Sequence, residues 1–159
     1  MIQTDKRMRF CRWLLVLNLA VIWGNSLIPG EVSGQISSWA GRIIGLIFNL
    51  PFDAQGSGHG LLRKAAHFTE FACLGGLLCW HLGMLGEKGR HLAGMTMLGV
   101  MLAACADETI QTLIPNRGPS VIDVWIDTFG GTAGMALLLA GHHFRKRKQN
   151  NINILEETT

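Results

Sequence analysis

The stretch ACADETIQTLIPNRGPSVIDVWIDTFGG, residues 104–131, places four carboxylates, Asp107, Glu108, Asp123 and Asp127, on either side of a short turn that carries Pro115 and Arg117. A second cluster lies upstream, where Lys64, His67 and Glu70 follow one another at three-residue spacing. A histidine beside carboxylates can do proton transfer, one group taking a proton while its neighbour orients it. The same set would suit a divalent metal ion, because imidazole nitrogens and carboxylate oxygens ligate Zn2+, Mn2+ or Mg2+. On an enzyme reading, His67 with Glu70, Asp107 or Glu108 activates water or holds the ion, and Arg117 steadies a phosphate or oxyanion. On a binding reading, Lys64 and Arg117 take anionic groups of a ligand, the acids take cationic ones, and Gln111, Ser120, Asp123 and Asp127 complete the pocket. The motif H-x-x-E formed by His67 and Glu70 is too short to decide, since a single histidine on a helix most often only packs.

The surroundings of these groups are apolar. Hydrophobic residues make up 48% of the 159-residue chain and charged residues 16%, where ordinary soluble domains carry about 25%. The 20 glycines fit membrane helices, in which glycine is commoner than in soluble ones. Four apolar stretches, Cys11 to Ile28, Leu62 to Leu85, His91 to Ile114 and Ser120 to Phe144, have the ~17–25 residues that cross a hydrocarbon core as a helix. The expected fold is therefore all-α: an integral membrane bundle of four transmembrane helices, one domain over residues 11–144, with tails 1–10 and 145–159. The cysteines Cys11, Cys73, Cys79 and Cys105 lie in or beside the apolar runs without metal-type or disulfide spacing, and read as small packing residues.

Basic residues orient the bundle. Lys6, Arg7, Arg9 and Arg12 precede or open the first span, Lys88 and Arg90 separate the second from the third, and Arg145 to Lys148 follow the fourth. Four crossings put all of these on one side, which the positive-inside rule makes the cytoplasm, with both termini there. The net charge of +3 then reflects retention of loops rather than a nucleic-acid footprint. A cleaved signal peptide would share the basic start, but WGNSLIPGEVSG lacks a small-x-small cleavage site, so the first stretch reads as a retained helix.

Between spans one and two, in the loop 29–61, Ile36, Trp39, Ile43, Ile47 and Leu50 recur at three- and four-residue spacing, with Gln35, Ser38, Arg42 and Asn49 opposite. This predicts an outer amphipathic helix lying on the membrane or packed on the bundle, followed by a flexible connector, DAQGSGHG, at 53–60. At a rise of ~1.5 Å per residue, the acids of spans three and four and the Lys64–Glu70 cluster of span two reach one level in the outer half of the membrane. Lys64, His67 and Glu70 share an arc of ~120°, Asp107, Glu108 and Gln111 one of ~100°, and Ser120, Asp123 and Asp127 one of ~60°. Gly130 and Gly134 form a G-x-x-x-G below them, which lets helices approach closely and seals the floor of a polar pocket.

Charge does not balance at that level: Glu70, Asp107, Glu108, Asp123 and Asp127 oppose Arg63, Lys64 and Arg117. A charge at the bilayer centre costs at least ~2.5–3.5 kcal/mol, so the excess acid calls for protonated carboxyls, a bound cation or a cationic ligand group. Stacked acids could also serve a proton- or cation-coupled transporter, but the polar path occupies only the outer half of the spans.

The blocks LLRKAAHFTEFACLG (61–75) and DETIQTLIPNRGPSVIDVWIDTFGG (107–131) resemble the two signature segments of the VanZ-like membrane family, R-K-x-x-H-x-x-E-[FY] and D-E-x-x-Q-x-x-x-P-x-R-x-x-x-x-x-D-x-x-x-N-x-x-G. The likeness extends over about residues 15–140 and includes Ser26. It places the family's polar positions on Lys64, His67, Glu70, Asp107, Glu108, Gln111, Arg117, Asp123 and Gly130. Asp127 departs from it, standing where the family commonly has asparagine and adding a negative or protonatable group. The resemblance implies a multi-pass protein of the bacterial inner membrane. Its partners would be the bilayer and a lipid-linked cell-wall precursor or a glycopeptide, and its role akin to teicoplanin resistance.

Overall fold

In the computed structural model of the chain, the described residues are 2–48, 58–118 and 120–157. Every regular element among them is a helix: α1 Ile2–Ser26, α2 Gly30–Phe48, α3 Gly58–Met84, α4 Gly89–Thr112 and α5 Val121–Glu157. The all-α expectation holds. Residues 49–57, which include Asn49, Leu50 and most of the connector expected at 53–60, lie outside the described residues; Gly58 to Gly60 belong to α3.

The breaks follow local chemistry. Ile28 precedes Pro29, a position that disfavours helix, and α2 departs from α1 at 109°. Between α3 and α4, Gly86 takes a left-handed φ of 100°. Its N–H donates to the Gly83 carbonyl while the Glu87 N–H donates to Leu82, the paired bonds that close a helix C-terminus. Asn116, with φ 58°, turns the chain between α4 and α5, asparagine being among the few side chains that tolerate that region.

Outside and inside are inverted relative to a soluble domain. Phe10, Trp13 and Leu17 of α1, Leu98 and Leu102 of α4, and Trp125, Phe129 and Leu137 of α5 are exposed, whereas Ser26, Thr96, Asp107, Glu108, Gln111, Asp127 and Thr128 are buried. An apolar exterior of this extent marks a surface that faces lipid. The buried apolar side chains are few: Ile22, Phe71, Leu74, Val100, Ala103 and Ala104 join α1, α3 and α4, and Cys79, Leu92 and Met135 form a second cluster. Of the four cysteines expected to pack, Cys11 and Cys79 are buried and Cys73 and Cys105 are exposed.

Two helices, α4 and the Val121–Asn151 part of α5, are long and apolar enough to cross a membrane, and α1 with α2 passes only as a bent pair. Of the four expected spans, two are thus apolar enough as single helices, and a third only if the bent pair counts as one. α3 falls short because it carries Arg63, Lys64, His67, Glu70 and His81. It is also the helix that packs against each of the other four, so its side chains meet protein rather than lipid over much of its surface. The segments expected as tails are helical where described, α1 starting at Ile2 and α5 running on to Glu157.

Candidate functional site

The most extensive packing joins α3 to α5, and glycine makes it. A Cβ on Gly134 would lie 1.8 Å from the Ala72 carbonyl oxygen, one on Gly130 2.4 Å from that of Phe68, and one on Gly75 2.0 Å from that of Gly131. The two backbones touch, as the G-x-x-x-G spacing predicts. Toward the α2 end of the bundle the same pair diverges in chemistry, presenting Lys64 and His67 from α3 and Asp123 and Asp127 from α5.

Each polar group at that end has an assignable position. Lys64 Nζ lies 3.3 Å from Asp123 Oδ1. Gln111 Nε2 donates to Asp107 Oδ2 at 2.8 Å and to Ser26 Oγ of α1 at 3.2 Å. His67 Nδ1 stands 3.8 Å from Asp107 Oδ2. Glu108 accepts the Ser120 N–H at 2.8 Å while Ser120 Oγ accepts the N–H of Ile122. The N-terminus of α5 is therefore capped by its own serine and by a carboxylate reaching over from α4, charge of the sign that a helix N-terminus favours.

Among the described residues, Arg117 pairs with no acid. Its Nε donates to the Ile28 carbonyl at 3.1 Å and a terminal nitrogen to that of Asn25, so a cation closes the C-terminal end of α1, where carbonyls lack helical partners. The same turn holds α2: Asn116 Nδ2 donates to Glu31 at 2.8 Å, and a Cβ on Gly30 would meet the Asn116 oxygen at 1.9 Å. Turn, α1 and α2 are thereby tied into one corner.

The 120° arc on α3 serves two neighbours instead of one pocket. Lys64 turns toward α5. Glu70 turns toward α1, where Asn25 Nδ2 donates to Oε1 and Asn18 Nδ2 to the Glu70 carbonyl at 3.4 Å. Two cavities result. One of about 10 Å³ is bordered by Arg63, Lys64, His67, Glu108, Gln111, Asp123, Ile126 and Asp127. The other, about 170 Å³, lies between α1, α2 and α3, with Arg63, His67, Glu70, Arg117, Asn25 and serines 33 and 37 as its polar lining and Ile28, Ile36, Leu62, Ala40 and Ala66 as its apolar one. Arg63 and His67 border both. Asn25 and α2's Ser33 and Ser37 line the cavity but were not selected by sequence reasoning, which counted Arg63 only in the charge balance; Asn18 and Asn25, seven residues apart on an apolar helix, were the available signal.

Several buried atoms at this end have no hydrogen-bond partner: Asp107 Oδ1, both oxygens of Asp127, Glu70 Oε2, His67 Nδ1 and an Arg117 terminal nitrogen. Among the described residues, His67, Asp107 and Asp127 are the one trio whose potential ligand atoms lie within 4.8 Å of one another. The family model described as VanZ/LLP1 matches residues 11–142. No curated protein and no solved structure matches the chain.

Proposed function

We propose, for a chain that belongs to the VanZ/LLP1 family of membrane proteins, that the α2 end of the bundle faces outward from the bacterial inner membrane and holds the anionic headgroup of a lipid-borne cell-envelope component. The transmembrane domain of residues 11–144 crosses four times, α3 being carried across by its packing against each of the other helices, and both termini are cytoplasmic. The basic residues at 6–12, 88–90 and 145–148 support that orientation.

The observation that carries this reading is the cavity of about 170 Å³ whose lining includes both arginines 63 and 117 and the apolar side chains of Ile28, Ile36 and Leu62. Guanidinium groups favour phosphate, and the mixed lining suits the junction of a headgroup with its chain. Drug-sized ligands need roughly 300–1,000 Å³, so a whole glycopeptide is a poor occupant. A role in resistance of the teicoplanin kind would follow from holding the lipid-linked precursor on which such a drug acts. Ile36, Trp39 and Ile47 of α2 are exposed, which suits a helix lying at the membrane interface beside the cavity.

Native mass spectrometry of the purified protein with polyprenyl phosphate, phosphatidylglycerol and phosphatidylcholine tests this. Retention of the anionic lipids at least tenfold over phosphatidylcholine, abolished in Arg63→Ala and partly kept in Arg63→Lys, is expected. Equal retention of all three lipids would overturn the proposal. One observation favours catalysis as a second reading: His67 borders both cavities and stands beside Asp107, as an acid–base group and its orienting carboxylate would. Phosphate release from polyprenyl phosphate, lost in His67→Ala, would decide for that reading.

A further inference from the structure

The acids at the α2 end are unequally supported. Asp123 has Lys64, and Glu108 has the Ser120 N–H. Glu70 has Asn25. Asp127 has nothing among the described residues: it is 1% exposed, and neither of its oxygens has a hydrogen-bond partner there. Asp107 beside it is 0% exposed, and its Oδ1 is likewise without a partner. Buried polar atoms in folded proteins are almost always paired, and a buried carboxylate without a counter-charge is strongly disfavoured. Three such orphaned oxygens on two neighbouring acids therefore point at a group that satisfies them together.

His67 supplies the third donor. A ring nitrogen of His67 and one carboxylate oxygen each from Asp107 and Asp127 lie within 4.8 Å of one another, close enough for one centre to touch all three. The cavity that His67 and Asp127 border, about 10 Å³, has room for roughly one water-sized centre. Charge agrees. With Lys64 and Asp123 cancelling, Glu70, Asp107, Glu108 and Asp127 face only Arg63 and Arg117, an excess that one doubly charged ion removes.

We infer that His67, Asp107 and Asp127 bind a single divalent transition-metal ion of the Zn2+ or Mn2+ class. The imidazole selects against Ca2+ and Mg2+, which prefer oxygen ligands alone. Gln111, donating to Asp107 Oδ2, leaves Oδ1 as that residue's free ligand atom and fixes its direction, as hydrogen bonds to metal-ligating carboxylates do. The site shares His67 with the larger cavity, but neither aspartate borders that cavity, so Asp127→Asn tests the metal site without altering the headgroup lining.

The test is elemental mass spectrometry on protein purified without chelator, followed by removal of metal with EDTA and reloading with Zn2+ or Mn2+ alone while the thermal midpoint is followed. One ion per chain is expected, with a rise in midpoint on reloading. In Asp127→Asn, which keeps the side-chain shape, and in His67→Ala, occupancy should fall by roughly tenfold or more. His91→Ala, removing an exposed histidine that pairs with Glu87, should keep both signals. Folded wild-type protein with no ion and no midpoint shift would overturn the inference, as would an ion held equally by Asp127→Asn and His67→Ala. Lipid retention measured on the EDTA-treated protein reports on the headgroup site separately, so either proposal can fail alone.

Discussion

The two halves of the α3–α5 pair solve opposite problems with the same helices. Toward one end Gly75, Gly130 and Gly134 bring backbone against backbone, with no space for a side chain. Toward the α2 end Lys64, His67, Asp123 and Asp127 fill the interval with groups that a lipid-facing helix could not carry. The first region makes the second affordable. Without water to drive helices together, close packing through small residues supplies the association, and its precision fixes where the ionisable groups stand.

The largest effect should come from breaking the glycine half. Gly134→Leu drives a Cβ into the Ala72 carbonyl, and overpacking against backbone costs about 3 kcal/mol or more; thermal unfolding in detergent should show loss of the folded state. Gly24→Ala sharpens the contrast: its Cβ would meet nothing within 4 Å, and it should change stability by less than ~0.5 kcal/mol. Next comes the corner at the polar end. Arg117→Ala removes both bonds to the carbonyls of Asn25 and Ile28, with an expected loss of about 2 kcal/mol in an SDS titration. Ser120→Ala, deleting the cap of α5, should cost about 1 kcal/mol by the same titration. Smallest among the polar-end changes is Glu108→Gln, which keeps an acceptor for the Ser120 N–H and loses only charge at a helix start, about 0.5 kcal/mol. An equal or larger loss from Glu108→Gln than from Ser120→Ala would mean that Glu108 does more than cap.

Helical periodicity and apolar length were enough to read an all-α chain and to bring His67, Asp107, Asp123 and Asp127 to one level, because helix rise and twist convert spacing directly into position. The Gly130–Gly134 contact was legible for the same reason. What spacing does not give is which neighbour each face meets. Glu70 shares an arc with Lys64, yet the two serve α1 and α5 respectively. Arg117 looked like a partner for acids and instead closes the end of α1. The sheltered place of α3 was also hidden, since its polar composition reads as a weak span until the helices around it are seen. Asp127 was legible as a pocket residue and an added charge, its isolation being a property of the packed bundle.

The central claim is that the polar half faces outward while the glycine half runs on toward the cytoplasm. It is tested most directly by labelling intact cells with a membrane-impermeant maleimide, using single cysteines in a chain whose four native cysteines are alanine. Gly118→Cys sits in the α4–α5 turn, exposed and with open space for a side chain; Lys88→Cys is exposed in the α3–α4 turn. The account predicts that Gly118→Cys is labelled in intact cells and Lys88→Cys only after permeabilisation. The reverse pattern, or labelling of both in intact cells, would contradict it.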